Sequence, residues 1–164
     1  MADPGRTPLI MVVDDDWMNR EVIEAHLLGA GYDVAVAHSG EQALDVALQR
    51  TPDLVLLDVR MQGLSGYDVC QRLKALDAMR SVPVVMVTAL ESDEDKLKAI
   101  NAGADDVIIK PFTSLMLLTR VRNLLRMKQL HDELQERDRR LREVLERYVS
   151  EQVARQILAE LKSR

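Results

Sequence analysis

The sequence predicts a doubly wound α/β fold: one five-stranded parallel sheet with helices on both faces, followed by a long C-terminal helix. Three observations carry that prediction. Short apolar, β-branched runs recur five times between Leu9 and Ile109. Each run is continuous rather than alternating, the pattern of a strand buried on both faces. Stretches with helical spacing separate the runs, and strict β/α alternation implies right-handed parallel crossovers.

The first strand is Leu9–Val13, and a helix follows from Trp17 to Leu28, stopped by Gly29-Ala30-Gly31. The second strand is Val34–Ala37. Its helix opens after Ser39-Gly40, sets Ala43, Leu44, Ala47 and Leu48 on one face, and cannot pass Pro52. Leu54–Leu57 is the third strand and Gly66–Leu76 the third helix. Val82–Val87 is the fourth strand; its helix starts near Ser92, an N-cap, and ends at Asn101-Ala102-Gly103. Val107–Ile109 is the fifth strand, and the fifth helix begins after Pro111-Phe112 with Thr113 as its cap.

Composition narrows the function classes. The chain has 164 residues, 47% hydrophobic and 30% charged, so it is neither disordered nor an integral membrane protein. No apolar run approaches the roughly 20 residues of a membrane span, and residues 1–8 do not read as a secretory signal. A net charge of −5 and 3% aromatic residues argue against a nucleic-acid surface. The single cysteine, Cys70, excludes an intrachain disulfide and makes a reducing cytoplasm the expected location.

In a doubly wound sheet, ligands bind beyond the carboxyl ends of the strands. The residues there are Asp14, Asp15 and Asp16 after the first strand, Asp58 after the third, Thr88 after the fourth and Lys110-Pro111 after the fifth. Crowded carboxylates repel, and a hard divalent cation relieves the repulsion. Oxygen ligands without His or Cys favour Mg²⁺ over zinc. Lys110 supplies a positive charge and Thr88 a hydroxyl donor for phosphoryl oxygens. A carboxylate nucleophile, a metal and a lysine together describe phosphoryl transfer to aspartate. For any one residue, helix capping is the competing role, most directly for Asp15 and Asp16.

These residues resemble the receiver domain of two-component response regulators, a flavodoxin-like fold. The match runs from Leu9 to Met127. It includes Met11-Val12-Val13-Asp14-Asp15-Asp16, Asp53-Leu54-Val55-Leu56-Leu57-Asp58, Met61 with Gly63, and Ser65-Gly66. It continues through Pro83-Val84-Val85-Met86-Val87-Thr88-Ala89, Gly103-Ala104-Asp105-Asp106 and Lys110-Pro111-Phe112. The resemblance implies that Asp58 accepts a phosphoryl group from a sensor histidine kinase or phosphotransfer protein. Asp15, Asp58 and the backbone carbonyl of Arg60 would ligate Mg²⁺, with Asp14 acting through water. Thr88 and Lys110 would bind the phosphoryl group, and the peptide before Pro111 would be cis. Such a module is not an enzyme beyond slow Mg²⁺-dependent self-phosphorylation and dephosphorylation. Two positions depart from the family pattern. Gln62 stands where proline is common, which is expected to loosen the loop. Val107 stands where many receivers carry an aromatic that moves inward with the threonine, so that readout is in question.

The expected organisation is a tail at 1–8, a receiver at 9–127 and a coiled-coil signalling helix at 128–164. From Thr113 onward no Gly or Pro interrupts the chain. Met127, Leu130, Leu134, Arg137, Leu141, Val144 and Tyr148 follow each other at spacings of three and four, a heptad seam with one polar break. From Met127 on there are nine basic and eight acidic residues, a mixed charge that suits a solvated flank. The expectation is a parallel two-stranded coil and hence a homodimer. The alternative is a helix that folds back on its own receiver or frays. The segment Glu146–Ala154 is similar to the signalling helix that precedes class III nucleotide cyclase domains, which would place the output domain after it. No helix-turn-helix pattern follows the receiver-like segment, so no direct contact with nucleic acid is expected.

A different enzyme class also fits part of the pattern. Asp14-Asp15-Asp16 contains the DxD of haloacid-dehalogenase-like Mg²⁺-dependent phosphatases, in which Asp14 would be the nucleophile and Asp16 the acid/base. Trp17-Met18 does not match that group. Trp17 and Met18 could instead rim the acidic loop or pack on the first helix.

Overall fold

The structure, a computed structural model, describes residues 5–89 and 92–162. The first four residues of the predicted tail and the last two of the predicted C-terminal segment lie outside the described residues. The elements in order are β1 (Leu9–Val13), α1 (Trp17–Gly29), β2 (Asp33–Ala37), α2 (Gly40–Gln49), β3 (Leu54–Asp58) and α3 (Gly66–Ala75). They continue with β4 (Val84–Thr88), α4 (Asp93–Asn101), β5 (Asp106–Ile109) and α5 (Ser114–Lys162). The described residues fall into two compact units that divide between 128 and 129.

The first unit is the doubly wound domain. All strand pairs are parallel, in the order β2-β1-β3-β4-β5. Alternation along each buried strand sends side chains to opposite faces. Met11, Val13, Val55, Leu57, Val84 and Met86 pack with Ala43, Val69, Leu73 and Ala99 of α2, α3 and α4. Ile10, Val12, Leu54, Leu56, Val85 and Val87 pack with Ile23, Leu27, Leu117 and Val121 of α1 and α5. Strand order reverses between β1 and β3, and a crevice opens there at the carboxyl ends.

Side chains set the helix starts. Asp16 accepts from the Met18 amide at 2.9 Å, Ser39 from Gln42 at 3.1 Å and Ser92 from Asp95 at 3.1 Å. Ser65 and Asp68 form a reciprocal capping box, and Thr113 accepts from the Met116 amide at 3.1 Å. Each cap contributes about 1 kcal/mol.

Some expectations do not hold. β2 is an edge strand, and Asp33 and Val36 face solvent, so its apolar run is not buried throughout. On α2, Ala43 and Ala47 are buried but Leu48 is 68% exposed. β4 starts at Val84, because a 3₁₀ turn at Asp77–Met79 precedes it and the Val82 amide closes that turn on the Met79 carbonyl. Of the two alternatives for Trp17 and Met18, their being more than half exposed favours a place on the rim of the acidic loop over packing on α1. Cys70 is fully buried, and burial pushes its thiol up to about 11.

The second unit is helical from 129 to 162. Its Leu, Val and Tyr side chains are exposed, and ion pairs at helical spacing line it: Arg139 with Glu136 and Glu143, Arg140 with Glu136, and Arg155 with Glu151. Among the described residues, no helix is long and apolar enough to cross a membrane.

Candidate functional site

β1, β3 and β4 deliver the predicted residues to one rim. β1 ends at Val13 and leads straight into the buried Asp14 and then the exposed Asp15. Asp58 is the last residue of β3, not the first of a loop, so the sheet itself fixes its backbone. Thr88 is the last residue of β4 and is buried. The Lys110 amide donates to the Thr88 carbonyl at 2.8 Å, and the Lys110–Pro111 peptide is cis.

The carboxylates of Asp14, Asp15 and Asp58 each offer an oxygen, and these oxygens lie within 4.8 Å of one another. Lys110 Nζ stands 3.5 Å from Asp14 Oδ2 and 3.6 Å from Asp58 Oδ1. Burial, with the neighbouring Asp14 charge, raises the Asp58 carboxyl from 3.8 to about 6, against the opposing pull of Lys110. Three acids face one ammonium, an imbalance that a divalent cation would correct. The all-oxygen donor set fits a hard ion such as Mg²⁺.

Several supports were not read from the sequence. Arg20, one turn into α1, donates from Nη1 to the Asp14 carbonyl at 2.6 Å. The Asp16 amide donates to Asp14 Oδ1 at 2.9 Å. The Gln62 amide donates to Asp15 Oδ2 at 3.2 Å, a bond between the loop and the acidic cluster that proline could not make. Gly66 seats α3 against the end of β3. A Cβ there would strike the Asp58 carbonyl oxygen and come within 2.7 Å of Val59 Cα. Asp53 holds Arg6 through two bonds of 2.9 Å and accepts from the Leu9 amide at 2.7 Å. Val107 is half-buried against the core, as is Tyr67, whose hydroxyl lies 3.4 Å from the Asp95 carbonyl. A cleft of about 610 Å³ opens beside the cluster, lined by Asp15, Arg60, Met61, Gln62, Tyr67 and Asp95 among others.

A doubly wound sheet with an acidic trio, a threonine and a lysine on its carboxyl rim defines the receiver class of signalling domain. The chain belongs to the response regulator receiver family: the model of the response regulator receiver domain matches residues 10–122. The chain is 42% identical over 129 residues to the response regulator PleD of Caulobacter vibrioides, covering 79% of this chain and 28% of that protein. It is 40% identical over 119 residues to the DNA-binding dual master transcriptional regulator RpaA of Synechocystis, covering 73% of this chain and 49% of that one. The chain therefore spans less than half the length of either relative. Among solved structures, the Vibrio cholerae chemotaxis protein CheY4 superimposes with a TM-score of 0.71 at 27% identity, covering 73% of this chain and 99% of its own. A response regulator from Chloroflexus aurantiacus gives 0.70 at 37% identity, covering 73% and 98%. The phosphatase reading finds no support in these relatives, and Asp16, its acid/base, is engaged as the N-cap of α1.

Proposed function

We propose that Asp58 is the phosphoacceptor of a two-component signalling switch, served by a sensor histidine kinase or phosphotransfer protein. The observation that carries the reading is the convergence of Asp58 with Asp14, Asp15 and Lys110 on one rim. An Asp58 oxygen attacks phosphorus as the bond from phosphorus to the donor nitrogen breaks, leaving an acyl phosphate on the side chain. Asp14, Asp15, Asp58 and the Arg60 carbonyl would hold Mg²⁺, which supplies charge neutralisation for the transferring group. Lys110 moves from its carboxylate partners to a phosphoryl oxygen, and the Thr88 hydroxyl donates to another. That exchange biases a two-state equilibrium of the domain.

The C-terminal helix would carry the change as a homodimeric coil to an output domain. The likeness of Glu146–Ala154 to the helix before nucleotide cyclase domains makes a cyclase the output to test first. The match to PleD, a named response regulator covered over 28% of its length, supports a receiver that works within a longer response regulator.

Incubation with Mg²⁺ and acetyl phosphate, followed by mass mapping, tests the site. One phosphoryl group on Asp58, absent from Asp58→Asn, is the expected result. Labelling that persists in Asp58→Asn refutes it, and phosphate on Asp14 would revive the phosphatase. Leu134→Glu with Leu141→Glu should halve the mass by light scattering and leave the receiver folded; an unchanged mass excludes the seam as the interface.

A further inference from the structure

In the helix 129–162, Leu134, Leu141, Val144 and Tyr148 are 65%, 57%, 61% and 58% exposed. Three arginines that flank the row are satisfied along their own helix. Arg139 reaches Glu136 at 2.9 Å and Glu143 at 3.3 Å, Arg140 reaches Glu136 at 2.9 Å and Arg142 reaches Asp138 at 3.5 Å. Arg137 differs. It lies on the apolar row, is exposed, and forms no hydrogen bond or ion pair with any described residue, although Glu133 sits one turn before it.

We infer that Arg137 is the register lock of a parallel, in-register pair of these helices, its guanidinium meeting Asp138 of a second copy of the chain. The inference rests on the homodimer proposed above and adds its orientation and alignment. Spacing fixes the heptad: Leu134, Leu141 and Tyr148 occupy a, Leu130, Arg137 and Val144 occupy d, Asp138 is e and Glu133 is g. In a parallel pair a d side chain enters a hole of four facing residues. For Arg137 in register these are Leu134, Arg137, Asp138 and Leu141 of the second copy, so a carboxylate borders the hole. Two-fold symmetry makes two such pairs, with Glu133 at the flanks.

A parallel pair slipped by one heptad gives Arg137 no carboxylate in its hole. A slip of one heptad exchanges Asp138 for Leu145 or His131. An antiparallel pair sets d across from a, and every a residue of the row is apolar. A single polar core position fixes register at a cost in stability, and charge complementarity here names the occupant of the apolar row.

The test uses the 164-residue chain, in which Cys70 is buried and cannot compete in cross-linking. V144C should form a disulfide-linked dimer under mild oxidation, because only an in-register pair places that position against itself. By sedimentation equilibrium, Arg137→Asp should weaken the dimer by about tenfold or more, through like charges facing Asp138, and R137D/D138R should restore it. Arg137→Leu should tighten the dimer while lowering the V144C cross-linking yield. A doubled mass with no cross-link and no response to charge reversal overturns the register lock and leaves the homodimer standing. A single-chain mass throughout overturns both.

Discussion

Replacing Asp58 with asparagine should stabilise the metal-free protein at neutral pH, by an amount that the site itself sets. Burial and the Asp14 charge raise the Asp58 carboxyl from 3.8 to about 6, so the folded protein holds this proton more tightly than the unfolded chain. The associated stability is fully present below about pH 4 and is lost as pH rises through about 6. A shift of about two units corresponds to about 3 kcal/mol at about 1.4 kcal/mol per unit, and solvent at the open rim lowers this to about 1–3 kcal/mol. For a domain of this size that is a rise in Tm of about 4–12 °C. Asparagine keeps the shape and never ionises. Thermal unfolding followed by circular dichroism in EDTA, at pH 8 and pH 4 and one protein concentration, reads the effect. The variant should exceed the wild type at pH 8 and match it at pH 4. Millimolar Mg²⁺ should close the gap at pH 8 by stabilising only the wild type. Equal melting at pH 8 without metal, or a gap independent of pH, would refute the reasoning.

Lys110→Met removes the one cation that lowers the Asp58 carboxyl, so its midpoint should move above about 6 when followed by carboxyl carbon NMR without metal. Arg20→Ala frees the Asp14 carbonyl; the fluorescence of Trp17 should report Mg²⁺ binding weakened several-fold with the fold intact, and Arg20→Lys should recover part of it. Gly66→Ala forces a Cβ into the backbone at the end of β3 and should lower stability by about 2 kcal/mol or more in urea unfolding.

The acidic rim was legible because chain order alone places it: in a parallel β/α alternation, whatever follows a strand lands on one edge. Helix starts at Ser39, Ser92 and Thr113 were legible for a local reason, since a cap is satisfied within three residues. Burial at β2 was not. An edge strand and a central one share an apolar composition, and only the order β2-β1-β3-β4-β5 exposes Val36. The Arg6–Asp53 and Gln62–Asp15 contacts each join residues 47 apart in sequence, beyond any local pattern. Arg20 reads as an ordinary helix residue until the turn of α1 brings it beneath the Asp14 carbonyl. Val107 was recognised as a departure, but that it packs half-buried against the core cluster on the α2, α3 and α4 side of the sheet depends on the folded arrangement.

The sheltered sulfur of Cys70 makes the domain its own clock. A thiol enclosed between α3 and the sheet reacts with an alkylating reagent only when that packing opens, so its labelling rate measures how often the core breathes. Comparing that rate with and without acetyl phosphate would show whether occupancy at the acidic rim tightens the interior, with no residue of the protein changed.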